Sequence, residues 1–493
     1  MLEGALGFTY NLRNGNNPAQ GRVGVQLLAS GIAEYAFRIG RRNLSSRLQM
    51  DFPLAGAMFS PNYGQSYYEI FSLGHYDHNI CFTHPFNAPS AHLLFTLQVP
   101  MGRRAVLSVG YDADIRQSHV NHLKRHHWSH RFVIGYVRRI SIHKPPPCPM
   151  HFRFPFFCTL LLSMAMSLTS CITEEVPTDT RQGNFEALWQ TIDRHYCFFP
   201  YKADAYGLDW NEVKERYAPM IKESMTNRQL FEVLSKMTYE LRDGHVNLYA
   251  AHDVARYADW FENYPANYSD SLERKYLGRA TEYKIASGLK YRILDDNIGY
   301  VRCASFENNF GDGNLQEVMV ELALCDGLII DVRNNGGGLL TAAEKLASLF
   351  VNEPTTAGYI CHKSGPAHNA FSSPQEISIT PFEGLRWQKP VAILANRRTY
   401  SAANSFVMYL KGLPNVSIVG DRTGGGSGMP FSSELPNGWS IRFSACPMLN
   451  RQGEHTELGI DPDIHANISE EDYARSVDTI IEAARKHLRA AKR

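Results

Sequence analysis

Three short stretches carry side chains whose types and order suit acyl transfer. "TYSAANSF" (399–406) places Ser401 where the apolar run "PVAILAN" gives way to a helical pattern. A hydroxyl at that corner either caps the helix or attacks a carbonyl. The two readings are compatible, because a helix N-terminus tolerates the charge that develops on an attacking serine. A nucleophilic serine needs a base. His245 in "DGHV" is a candidate, held at the end of an anchored helix and leading into the strand-like "VNLYA". "NNGGG" (334–338) follows the apolar "LIIDV" and precedes a helix. Glycines there let the backbone approach closely and aim N–H groups at an anion or an oxyanion. It is not a phosphate loop, since neither GxxxxGK[ST] nor GxGxxG is present. Taken singly, each stretch also fits a plain structural role: a cap, a corner histidine, a strand-to-helix turn.

These residues need a scaffold that brings position 245 to position 401. The runs "LIIDV", "PVAILAN" and "VSIVG" read as strands covered on both faces, each followed by a tight turn. "LPNGWSIRFSA" reads as a hairpin turning at Asn437-Gly438, and "SEEDYARSVDTIIEAARKHL" as a closing helix. Upstream, "NFEALWQTIDRHY" predicts a helix with Asn184 as its N-cap, and "DWNEVKERYAPMI" a second. "TNRQLFEVLSKMTYELRDGHV" predicts a third, opened by a Thr226–Gln229 capping box, with Leu230, Val233, Leu234, Met237 and Leu241 on its apolar face. The Tyr-, Asp- and Arg-rich stretch from 246 to 297 reads as an insertion or lid.

In order and spacing, "DVRNNGGG", "TYSAANSF", "IVGDRTGGGSG" and "GIDPDI" resemble the serine peptidases of family S41, which include the carboxyl-terminal processing proteases and the tricorn core protease. The resemblance spans roughly 184–491. It implies an α/β core of ClpP- and crotonase-like ββα units with an N-terminal helical subdomain, and no metal or cofactor. It implies Ser401 as nucleophile, with an oxyanion hole from the N–H groups of Gly337, with Gly338 beside it, and Ala402. The processing proteases place a lysine in the glycine loop; Gly426 stands there in this chain, and Lys411 lies down the next helix, pointing away. The tricorn-like branch implies His245 as base, oriented by Glu457 or by Glu454. That branch has a serine before its histidine, where this chain has Gly244. The region expected to hold a PDZ domain lacks a clear glycine-rich carboxylate-binding loop. The implied activity is a serine endopeptidase acting on peptides or unfolded proteins; the alternative is a non-catalytic ligand-binding protein on the same scaffold.

The rest of the chain is separate in character. The whole chain has 493 residues, more than one ordinary core, is 44% hydrophobic, and carries a formal net charge of +1 that gives no sign of a nucleic-acid partner. Nine cysteines fall without metal-finger spacing. "MHFRFPFFCTLLLSMAMSLTSC" (150–171) has a basic start, an apolar stretch too short for a membrane span and small residues before a cysteine. It resembles a lipoprotein signal peptide (150–170) with Cys171 as the lipidated residue, so the expected location is the cell envelope, anchored to the outer membrane. A signal peptide belongs at a start codon, so residues 1–149 are expected to derive from a separate upstream frame, with "HKPPPCP" (143–149) as the junction. Residues 1–143 are strand-like throughout and predict an all-β segment resembling part of an outer-membrane barrel. "HVNHLKRHHWSH" gathers His119, His122, His126, His127 and His130 and reads as a polar hairpin loop rather than a metal site. The expected order is thus a barrel-like segment (1–143), junction, signal and tether (144–183), helical subdomain (184–245), insertion (246–297) and catalytic core (298–491).

Overall fold

The computed structural model describes residues 2–10, 19–40, 42–101, 105–138 and 177–491. These fall into two compact units, one mainly within residues 1–176 and one mainly within 177–493. The signal-like stretch, Cys171 and the junction at 143–149 lie outside the described residues.

In the first unit, six long antiparallel strands pair in chain order: Leu2–Tyr10, Ala19–Ile39, Arg42–Phe59, Ser90–Met101, Ala105–Val120 and Leu123–Arg138. A short strand, Ile80–Thr83, pairs beside Arg42–Phe59. No pairing among the described residues joins the first strand to the last, so they establish a β-sheet and not a closed barrel. One face exposes alternate apolar residues, such as Val23, Val25 and Leu27, or Phe132, Ile134 and Tyr136. Polar side chains are buried elsewhere: His92 bridges Asp51 (2.8 Å) and Asp112 (2.7 Å). The histidine-rich stretch is not a loop. Only Asn121 and His122 turn, both at positive φ (51° and 58°), while His119, His126, His127 and His130 lie within the paired strands. No group of three metal-ligating side chains gathers among the described residues.

The second unit is an α/β body. Its central sheet runs Lys284–Ala286, Leu289–Ile293, Ile298–Arg302, Gly327–Asp331, Val391–Ala395, Val416–Gly420, Ile464–His465, parallel from Ile298 onward. Strands Gly327–Asp331 and Val391–Ala395 are buried on both faces, as their apolar runs require. The closing helix, Thr479–Ala491, covers one face through Ile480, Ile481, Ala484 and Leu488. On the other face lie Leu340–Ala347 and Ala402–Leu410. A second sheet contains Ser440–Leu449 paired with Gly428–Glu434 and with Asn247–Ala250. Asp331 interrupts its apolar strand because it pairs with Arg333 (2.7 Å), which also holds Asp478 (2.9 Å). A charge this deep persists only when fully paired, and this network anchors the strand end from which the glycine turn departs.

Four helices precede the core: Arg181–His195, Phe199–Tyr206, Trp210–Tyr217 and Asn227–Tyr239. Their apolar faces share one continuous core with the α/β body, so they do not form an isolated subdomain. Thr226 and Gln229 make the expected capping box. Asn184 is not a cap: Thr180 caps the helix from its side chain, and Asn184 is buried inside it, accepting the Asn437 N–H at 3.0 Å. The stretch 246–297 is not a single lid either. Its first residues join the second sheet and its last residues the central one, leaving 257–283 between them.

Candidate active site

Ser401 sits on the turn between strand Val391–Ala395 and helix Ala402–Leu410. Two glycine segments grip this turn. The Tyr400 N–H donates to the Asn335 carbonyl (3.0 Å), and the Ser401 N–H donates to the Gly425 carbonyl (2.9 Å). Thr399 Oγ1 donates to the Val332 carbonyl (3.0 Å), closing the base of the turn. So held, Ser401 adopts φ 56° and ψ −125°. A side-chain-bearing residue pays about 1–3 kcal/mol for such a conformation. Ser401 occupies the N-cap position but makes no cap hydrogen bond, so its hydroxyl is free for another partner.

That partner is His245. Its Nε2 lies 3.1 Å from Ser401 Oγ across 156 residues of sequence. The histidine is only 5% exposed, and burial pushes its imidazole down to about 4. The nearby Asp243 carboxylate and the Gly428 carbonyl oppose that shift, and Arg442 adds to it. His245 is therefore a neutral base at neutral pH. With Nε2 turned to the serine, the neutral ring carries its proton on Nδ1, which is buried with no hydrogen-bond partner among the described residues. Asp243 fixes the backbone here: its Oδ1 accepts the His245 N–H (2.7 Å), and its Oδ2 accepts from Tyr196 (3.0 Å) and Ser444 (2.8 Å). Sequence reasoning passed over Asp243, although a carboxylate two residues before the histidine was a readable signal.

The glycine turn lies against the serine. A Cβ on Gly337 would fall 2.7 Å from Ser401 Cβ and 2.9 Å from Ala402 N, and its φ of 101° excludes side chains in any case. The expected roles of its N–H groups need correction. The Gly337 N–H already donates to Asn335 Oδ1 (2.9 Å). The Gly338 and Ala402 N–H groups take no hydrogen bond among the described residues, and they are the pair left for an oxyanion. Asn335 was also missed. Its amide joins the turn to the Cys303 carbonyl (3.1 Å).

The carboxylates do not reach the imidazole. Glu457 is buried, but none of its hydrogen bonds goes to His245: Oε2 accepts the Ser427 N–H (3.0 Å) and Oε1 faces Lys202 Nζ (3.3 Å). Burial, then the Asp243 carboxylate, push Glu457 up to about 8 against the opposing pull of Lys202. Glu454 is exposed and bound to Asn450 (2.9 Å). Lys411 points away, onto the Asp461 carbonyl and Asp463. In the glycine loop, Tyr400 packs against Gly426. The same ring stacks on Trp260 (4.1 Å between centroids) and abuts His245 (4.9 Å).

Comparison with known proteins follows this geometry. Residues 297–466 match the profile described as Peptidase family S41, and residues 177–238 that of the Tricorn protease C1 domain. Residues 1–145 match "Protein of unknown function (DUF3316)". The chain is 47% identical to a solved structure from Parabacteroides merdae ATCC 43184, described as a "putative peptidase", with a TM-score of 0.61 over 63% of this chain and 97% of that one. It is 26% identical over 185 residues to the carboxy-terminal processing protease CtpA of Bacillus subtilis (strain 168), covering 37% of each chain. It is 27% identical over 182 residues to the chloroplastic C-terminal processing peptidase of Tetradesmus obliquus, covering 36% of this chain and 37% of that one. The chain thus spans little more than a third of the length of these curated relatives.

Proposed function

Because the chain belongs to peptidase family S41 through its second unit, we propose that it is a serine endopeptidase acting on peptides or unfolded proteins through an acyl-enzyme on Ser401. The observation that carries this reading is the 3.1 Å approach of His245 Nε2 to Ser401 Oγ. His245 takes the Ser401 proton as Oγ attacks the scissile carbonyl. The tetrahedral oxyanion then accepts from the Ala402 and Gly338 N–H groups, where each donor lowers the barrier by about 3–4 kcal/mol. The imidazolium, stabilised by the Asp243 carboxylate, returns its proton to the leaving amine. Water, deprotonated by the same histidine, releases the acyl group. Glu457 acts on His245 only indirectly in this scheme, through the backbone of the glycine loop.

A fluorophosphonate probe tests the proposal directly. Labelling of the folded protein that disappears in Ser401→Ala, together with hydrolysis of internally quenched peptides, supports it. An intact protein that neither labels nor cleaves would instead fit a ligand-binding role for the same scaffold.

The envelope location and a lipid anchor at Cys171 belong to the same reading, supported by the signal-like stretch alone. Mass spectrometry of the mature protein should find a lipid-modified Cys171 as its first residue; unmodified residues before Cys171 would overturn it. The all-β unit is read as part of an outer-membrane barrel, supported by its exposed apolar alternation and buried polar residues. Refolded into lipid vesicles, it should insert and migrate differently on gels with and without heating; recovery in the aqueous phase alone would count against a membrane role.

A further inference from the structure

Lys202, on helix Phe199–Tyr206, has no exposed surface. Its ammonium donates to the Arg242 carbonyl at 2.9 Å and faces Glu457 Oε1 at 3.3 Å. Both contacts lead to His245. Arg242, at φ 46°, immediately precedes the turn Asp243-Gly244-His245-Val246, which the Val246 N–H closes on the Asp243 carbonyl (3.0 Å), so the Arg242 carbonyl sets where the histidine turn begins. Glu457 holds the Ser427 N–H with its other oxygen, and Gly428, the residue after Ser427, lies near the His245 ring without a hydrogen bond to its Nδ1. One cation therefore ties the backbone behind the imidazole to the backbone in front of it.

We propose that Lys202 is a positioning residue for the hydrolysis, setting the angle at which His245 is offered to Ser401 while taking no part in bond making. This rests on the serine-peptidase reading above. Stability is a poor account of the group. Burying an ammonium and a carboxylate together is costly, and well-packed apolar residues of the same volume replace such pairs with little loss. Nor does the lysine serve as the proton acceptor: both of its contacts are to the supports of His245, and Ser401 has the histidine at hydrogen-bond distance. The charged and titratable groups that face the Lys202–Glu457 pair are Asp243, Tyr206 on the lysine's own helix (6.0 Å from Nζ to the ring), Tyr201 on the same helix, Tyr196 and Cys197 between the first two helices, and Tyr400 beside Ser401. Glu457 is the group whose protonation Lys202 resists.

The test uses the full chain as Lys202→Met, Glu457→Gln and the double variant, with Ser401→Ala as the inactive reference. Steady-state cleavage of internally quenched peptides and the rate of fluorophosphonate inactivation are followed from pH 5 to 10. Lys202→Met should lower kcat by about 10- to 100-fold with KM within about twofold. It should also move the acid-side inflection caused by Glu457 to higher pH, because the carboxylate loses the cation that favours its ionised form. A purely structural lysine would leave that inflection in place. Glu457→Gln should abolish the inflection. The double variant should be no worse than the poorer single variant, since the two residues act as one unit. It carries no unpaired buried charge, so it remains assayable if Lys202→Met does not fold. Unchanged kcat and pH profile in Lys202→Met, or losses that multiply in the double variant, would overturn the proposal. If the wild type itself neither cleaves nor labels, the peptidase reading fails first, and this inference with it.

Discussion

Tyr400 occupies the space that any side chain at Gly426 would need: a Cβ there would lie 2.3 Å from Tyr400 Cζ, and Gly426 itself sits at φ 73°. Position 426 is where the family resemblance places a lysine base in the processing proteases. The aromatic ring beside the nucleophile and the glycine opposite it are one feature. Together they leave no room for a side chain at 426, and His245 Nε2 lies 3.1 Å from Ser401 Oγ.

The first prediction follows from that packing. Gly426→Lys will not build a serine–lysine pair. It should displace the Tyr400 ring from His245 and Trp260, lower stability by about 1–3 kcal/mol or more, and abolish activity. Thermal unfolding and probe labelling read the two effects separately. A stable, active variant whose activity resists His245→Ala would contradict this account.

Strain at the nucleophile gives the second. Ser401→Gly and Ser401→Ala should both be inactive, but only the glycine relieves the φ of 56°. Relief of about 1–3 kcal/mol, less about 0.4–1 kcal/mol for the more flexible unfolded chain, leaves Ser401→Gly more stable than Ser401→Ala by about 1 kcal/mol. Denaturant midpoints at constant m-value decide it.

The third concerns pH. The base must be neutral, and burial holds His245 down to about 4, below its ordinary value near 6.5. The base form thus survives as pH falls, and complete loss of fluorophosphonate reactivity should centre near pH 4. A partial, earlier loss should appear as pH falls through about 8, when Glu457 takes up its proton. Stability follows the same sign for His245. Unfolded chains bind a proton near pH 6.5 that the folded chain refuses until about 4, so stability is lost as pH falls through that window. His245→Ala should cost about 100- to 10,000-fold in turnover and remove the pH 4 limb.

Gly337 supplies the fourth. Gly337→Ala must push Ser401 or Ala402 aside, and should lower kcat by about 100- to 1,000-fold with little change in KM. Asn335→Ala frees the Gly337 N–H and loosens the same turn, so it should show a smaller loss of the same kind. An Asn335→Ala enzyme with normal kcat would mean that the turn holds its shape without that amide.

The parts legible in the sequence are those written in local pattern. "LIIDV" and "PVAILAN" are largely apolar runs, and both form strands buried on both faces. "NNGGG" and "TYSAANSF" announce backbone that side chains would obstruct, and both lie at the site. His245 became readable only through the family resemblance, since a histidine after a helix end is common. The misreadings were local as well. Asn184 has the chemistry of a cap, but Thr180 stands one turn earlier and takes that role, leaving Asn184 to bond the far Asn437 N–H. The histidine-rich stretch looks like a polar loop because it is polar, yet pairing with the preceding strand runs down to a two-residue turn.

The sequence by itself determined the candidate serine, the glycine segments around it and the absence of a lysine at 426, because each is fixed by residue type at one position. Only the tertiary structure decided what surrounds them. It decided that Gly337 spends its N–H on Asn335, leaving Gly338 and Ala402 as the free donors. It gave Glu457 to Lys202 and Ser427 rather than to His245, and made Asp243 the anchor of the histidine. The physical reason is that a buried polar atom bonds to whatever the packed backbone brings within about 3 Å. Those neighbours come from six separate parts of the chain, and no spacing in the sequence records their distances.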